Sequence, residues 1–180
     1  MNRRILVSMA AVFGVTGALV AQAPAPAKPS PELKKLEAYL GNWTYEGDAK
    51  ASPFGPAGKI TGTETVTLMP GGFFIEDRWE EKDPAPLGTV KGLQVWNYDP
   101  ARKTLAYTYF TSAGESGSGT VTVNGNTWTT IGRGTTYEGK PAHGRATWTI
   151  SGPGNFTVAS DASTDGKTWA RAFEGKWTKK

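Results

Sequence analysis

The sequence predicts an all-β domain, an antiparallel up-and-down barrel of about ten strands entered through one short N-terminal helix. Three observations carry this. Turn signals recur at short, fairly regular intervals: Pro70-Gly71-Gly72, Tyr98-Asp99-Pro100, Asn124-Gly125-Asn126, Gly139-Lys140-Pro141, Gly152-Pro153-Gly154 and Asp165-Gly166-Lys167. The segments between them are rich in threonine, valine and aromatic residues, which suit strands. Only the stretch 31–40 has helical spacing. Consecutive hairpin-linked strands close into a barrel because closure removes exposed edges, whereas a sandwich needs longer crossovers than this chain offers.

Residues 1–27 read as a secretory signal with a short linker, and residues 28–180 as the barrel domain. Met1-Asn2-Arg3-Arg4 supplies the basic start, and residues 5–21 are uncharged and apolar. That run is short for a span and rich in Ala, Gly, Ser and Thr, so a removed signal is expected rather than a stable membrane span. Ala21-Gln22-Ala23 and Ala25-Pro26-Ala27 are the two candidate cleavage patterns. A periplasmic or secreted location follows. The 180 residues contain no cysteine, which excludes a disulfide framework, a thiolate metal site and a lipid-anchoring cysteine. Of the net charge of +4, Arg3 and Arg4 contribute two, and no basic run stands out beyond Lys179-Lys180. A nucleic-acid partner is not indicated.

The helix is framed by its own chemistry. Ser30 suits its N-cap and Pro31 its first turn. Leu33, Leu36, Tyr39 and Leu40 form one apolar stripe, and Gly41 is expected to end it in a left-handed cap. Trp43 follows as an anchor at the start of the first strand. Strands are expected at about 43–50, 59–69, 73–82, 88–98, 104–112, 117–124, 126–137, 145–151, 155–161 and 168–178. For the second and third, a two-residue Gly71-Gly72 turn pairs Leu68 with Ile75 and Val66 with Asp77. This register keeps Glu76, Arg78 and Glu80 outside and gathers Val66, Leu68, Ile75 and Trp79 inside. It also turns Asp77 inward, with Glu64 on the same face.

The Leu40-Gly41-Asn42-Trp43 entry, the Pro70-Gly71-Gly72-Phe73-Phe74 turn and Asn97-Tyr98-Asp99-Pro100 followed by Lys103 together resemble an uncharacterised family of exported bacterial proteins. That family carries a domain-of-unknown-function label and implies a lipocalin-like, calycin-like barrel with a habit of binding small molecules. The resemblance spans about residues 31–180. It also implies that Gly41 and Trp43 are structural, with Trp43 packed at the closed barrel end beneath a basic side chain of the last strand, Arg171 or Lys176.

The remaining candidates divide between packing and binding. Asp77 reads either as a polar anchor for a ligand or as a buried carboxylate paired with Arg133 or Arg171. Trp79, Tyr107, Tyr109, Trp148, Phe156 and Phe173 fall on the more apolar faces of their strands, and Trp128 is harder to place. They either fill the core or line a cavity. The ligand-binding set predicted is Asp77, Trp79, Tyr107, Tyr109, Trp148 and Arg171. His143, the only histidine, lies in an apparent turn and reads as a solvated loop residue; haem binding through it is the minor alternative. The glycine-rich stretch 114–119 lacks the helix and Lys-Ser/Thr of a phosphate loop and reads as a flexible turn. No nucleophile–base arrangement is present, so no catalytic residue is assigned and an enzyme ranks third. No cofactor and no metal are implied. A small apolar ligand is the favoured partner, with a filled structural or interaction barrel as the alternative.

Overall fold

The computed structural model describes residues 28–180, so the signal expected at 1–27 lies outside the described residues. The helix, Pro31–Tyr39, is a 3-10 helix, with Ser30 Oγ accepting from the Glu32 amide at 3.2 Å. Its apolar residues explain the choice. Leu33, Leu36 and Tyr39 recur every third position, and a helix of three residues per turn stacks all three on one line. They are 5 %, 1 % and 1 % exposed.

Gly41 does not form the left-handed cap. The cap is Leu40 in extended conformation, and Gly41, at φ +135°, opens the first strand. That backbone conformation is one L side chains rarely adopt, which is why glycine stands here. Trp43 then fastens the helix end, its indole N–H donating to the Tyr39 carbonyl at 2.8 Å.

Ten strands follow: β1 (Gly41–Ala49), β2 (Gly58–Leu68), β3 (Phe74–Lys82), β4 (Thr89–Asp99), β5 (Thr104–Thr111), β6 (Ser116–Asn124), β7 (Thr127–Thr135), β8 (Pro141–Gly152), β9 (Asn155–Ser163) and β10 (Ala170–Lys179). Each pairs antiparallel with its sequence neighbours, and β1 closes the barrel on β10 through Trp43 opposite Lys179 and Tyr45 opposite Trp177. The β2–β3 register is the expected one, with Leu68 opposite Ile75 and Val66 opposite Asp77. Leu68 itself is 51 % exposed, because it stands beyond the rim where the strand runs out.

Strand alternation sorts the connections to two ends. The helix and the links 69–73, 100–103, 125–126 and 153–154 lie at one end, and the links 50–57, 83–88, 112–115, 136–140 and 164–169 at the other. The helix end is packed solid. Tyr39 meets Trp96, Trp128, Trp148 and Phe156 edge-on at centroid distances of 5.8, 6.1, 5.4 and 5.7 Å. Trp128, hard to place by sequence, is 2 % exposed and part of this cluster.

The other half is built differently. Its inward positions include Gly62, Gly92, Gly117 and Gly119, each directly opposite an aromatic residue on the neighbouring strand: Tyr45, Trp79, Tyr109 and Tyr107. The ring covers the glycine in every case; a Cβ added at Gly92 would stand 1.9 Å from the Trp79 ring, and one at Gly62 2.4 Å from that of Tyr45. Phe173 covers Gly47 and Gly175 in the same way. Glycine thus lets large rings lie along the wall instead of across the lumen. Gly117 and Gly119 are therefore strand residues with a packing role, not part of a flexible turn.

Candidate functional site

The open half holds a cavity of about 330 Å³, within the size range of small-ligand sites. Tyr39, Glu64 and Asp77 form its floor. Trp79, Trp148, Phe173 and Trp177 contribute to its walls, and Glu81, Asp83 and Glu115 stand toward the mouth beside Phe54 and Leu87 from the loops. A second hollow of about 220 Å³ adjoins it, lined by Tyr107, Tyr109 and Thr130 and sharing Phe54, Ser160 and Ala172 with the first.

The floor is a buried polar knot. Tyr39 Oη reaches Glu64 Oε1 in a short contact and lies 2.9 Å from Asp77 Oδ2, while the Trp177 indole N–H donates to Glu64 Oε2 at 2.7 Å. One hydroxyl proton cannot serve two carboxylates, so one acid must keep a proton of its own. Asp77 is the acid that keeps it. Burial first, and then the adjacent Glu64 charge, hold Asp77 well above the usual carboxylate range. Burial raises Glu64 as well, but hydrogen bonds from Asp77, Tyr39 and Trp177 pull against that rise and favour its ionised form. The Tyr39 hydroxyl stands between the two carboxyls and donates to one of them at a time. Oδ1 of Asp77, Oε1 of Glu115 and the indole nitrogens of Trp96 and Trp148 are buried without a hydrogen-bond partner among the described residues, and the Trp96 indole faces the Asp77 carboxyl.

Nearer the mouth, Glu81 accepts from the Tyr45 hydroxyl at 2.6 Å and from the Trp79 indole N–H at 3.3 Å. Burial, reinforced by the charge of Asp83, pushes Glu81 up to about 7. Glu115 is also pushed up to about 7 by burial and then by Asp83, and burial raises Asp83 itself. Among the described residues no cluster of His, Cys, Asp or Glu side chains forms a metal-holding group.

The sequence-predicted set is partly reunited. Asp77, Trp79 and Trp148 line the main cavity, and Tyr107 and Tyr109, ring centroids 6.4 Å apart, line the adjoining hollow. Asp77 pairs with neither Arg133 nor Arg171. Alternation from Phe173 sets Arg171 inward, but a bulge between the two turns Ala172 inward instead. Arg171 lies on the outer surface, ion-paired with Asp161 at 3.0 Å and Glu174 at 3.1 Å. The cation over Trp43 is Lys179, its Nζ 5.2 Å from the ring centroid, and not Arg171 or Lys176. His143 is not in a turn. β8 begins at Pro141, two residues earlier in the chain, and His143 faces outward beside Arg145, its ring against Gly166 and outside the cavity lining.

Sequence reasoning passed over Tyr39, Glu81 and Glu115. Glu81 was within reach, since it continues the inward series Asp77, Trp79. Its titration has a measurable consequence. An unfolded glutamate loses its proton near 4.3, so between about 4.5 and 7 the unfolded chain deprotonates first and stability falls as pH rises. Above pH 7 the cost of the buried charge is on the order of 3 kcal/mol. Urea unfolding of Glu81→Gln at pH 5 and pH 8 should show a loss between the two pH values smaller than the parent's by about 2–3 kcal/mol. An equal loss in both proteins counts against a strained Glu81.

Solved structures similar to the chain include two at low sequence identity. One is described as the crystal structure of Rv2717c from M. tuberculosis, with a TM-score of 0.62 at 14 % identity, covering 85 % of this chain and 99 % of that one. The other is a de novo designed fluorescence-activating beta barrel, with a TM-score of 0.41 at 15 % identity, covering 78 % and 93 %. No curated protein matches the chain by sequence. A family model matches residues 28–179, nearly the whole described barrel, and the chain accordingly belongs to the family described as protein of unknown function, DUF1579.

Proposed function

We propose that this protein is an exported binding barrel that admits one small, largely apolar molecule through its open end. The observation that carries the reading is the division of the lumen. The helix end is filled by Trp43, Trp96 and Phe156, each 1 % exposed, while the open half keeps about 330 Å³ free between aromatic walls. Trp148 Nε1, buried and without a hydrogen-bond partner among the described residues, supplies a placed polar atom of the kind such pockets use for orientation. A barrel serving only as a structural or interaction domain has no need of that space.

Calorimetric titration with 1-octanol tests the reading. Trp148→Ala should weaken octanol binding about tenfold through lost apolar contact, and the outward change Glu80→Ala should leave it alone. Octanol binding indifferent to Trp148, or no binding at all, favours the structural role.

Export rests on the pattern of residues 1–27. Intact-mass measurement of protein recovered outside the cytoplasm should show residues 1 to about 27 missing. A full-length mass in the membrane fraction makes the segment an anchor instead.

A further inference from the structure

The charges around the cavity are one-sided. Glu64, Asp77, Glu81, Asp83 and Glu115 all contribute to its lining, against one cationic side chain, the exposed Lys50 at the rim. Elsewhere on the molecule most carboxylates are neutralised by neighbours, Asp48 by Lys59, Glu76 by Arg78, Glu80 by Lys91, Glu138 by Lys140, and Asp161 by Arg145 and Arg171, with Glu37, Glu46 and Asp165 the exceptions among the described residues. None of the five cavity acids takes part in an ion pair among the described residues. Their partners are neutral donors. Tyr39 and Trp177 serve Glu64, Tyr45 and Trp79 serve Glu81, and the Thr111 hydroxyl lies 3.5 Å from Glu115 Oε2.

A second observation is independent of the count. Glu115 Oε1, in the group toward the mouth, is buried and without a hydrogen-bond partner among the described residues; Asp77 Oδ1, on the floor, also lacks one, but the Trp96 indole faces that carboxyl. Buried acceptors of this kind are costly unless a donor arrives. The donor cannot be a compact multivalent ion, for the acids are spread from floor to mouth and do not gather as a metal-holding group. Between them stand the faces of Trp79, Trp148 and Phe173, and aromatic faces attract organic cations through the ring quadrupole.

From this we infer that the molecule bound is an organic amine or ammonium ion with a short apolar body, its cationic head held among Glu81, Asp83 and Glu115 and its body lying against Trp79, Trp148 and Phe173. The inference rests on the binding reading above and names the class of ligand. It fits both surfaces of the site: apolar walls alone suit any small hydrophobe, but unpaired carboxyls penalise a neutral chain and repel an acid.

The inference also fixes a pH dependence. The groups facing Glu81 are the Tyr45 hydroxyl, the Trp79 indole N–H and the Asp83 carboxyl; those facing Glu115 are Thr111, the Tyr137 backbone and Asp83. Lys50 stands at the rim, and Arg133 lines the adjoining hollow. Glu81 and Glu115, both at about 7, gain charge between pH 6 and pH 8. An alkylamine remains cationic throughout that range, so amine affinity should rise with pH.

Calorimetric titration of the full chain with 1-octylamine, 1-octanol and octanoate, equal in chain length and different in charge, provides the test. At pH 8 octylamine should bind about tenfold tighter than octanol, with octanoate weakest. The ratio of octylamine to octanol affinity should shrink at pH 6, and again at pH 8 in Asp83→Asn and in Glu115→Gln, two partly exposed positions whose variants spare the floor, while the outward change Glu80→Ala leaves that ratio as in the parent. If octanol or octanoate binds as tightly as octylamine while Trp148→Ala still weakens octanol, the charge inference falls and the binding reading stands. If none of the three binds, both fall.

Discussion

An aromatic ring that covers a glycine cannot share its place with a Cβ, and this exclusion shapes the open half of the barrel. Tyr45, Trp79, Tyr107 and Tyr109 each lie over a glycine on the next strand. Rings held against the wall leave the axis free. With a side chain at any of these glycines the ring would have to turn into the lumen, and a barrel of this size has little room to spare before its interior is full. The helix end shows that other outcome, with Trp43, Trp96, Trp128 and Phe156 buried in one core cluster.

The two halves meet at Tyr39. The last residue of the helix carries a hydroxyl into the lumen, where it contacts Glu64 of β2 and Asp77 of β3, and Trp177 of β10 completes the knot. One phenol thereby links the plug to β2 and β3 directly, and to β10 through Glu64, and sets the floor of the cavity. Burying two carboxyl groups is expensive, and a shared proton together with neutral donors offsets only part of that cost.

Much of this architecture was legible because it depends on local rules. Turn chemistry set the ten strands, and alternation set the β2–β3 register and turned Asp77 and Glu64 inward. What alternation cannot foresee is its own interruption. One bulge before Phe173 moved Arg171 from the expected lumen to the outer surface, where Asp161 and Glu174 hold it. The extension of β8 back to Pro141 took His143 out of its apparent turn. Lys179 escaped notice as the cation over Trp43 because no motif fixes the spacing to the chain end. The glycines misled for a subtler reason: in sequence they signal turns, and their second use, leaving room for a ring across the strand, emerges only once the pairing is known. Whether the barrel is hollow depended on those glycines, so a list of inward aromatics could not decide it.

The central claim, that glycine-backed rings keep the lumen open, is tested most directly by octanol titration of Gly92→Ala, alone and combined with Trp79→Ala. An added methyl at Gly92 stands 1.9 Å from the ring and should drive Trp79 into the cavity. We expect the folded single variant, judged by near-ultraviolet circular dichroism, to bind octanol at least about tenfold more weakly, and the double variant to recover binding as the space reopens. A folded Gly92→Ala protein that binds octanol as the parent does would contradict the account.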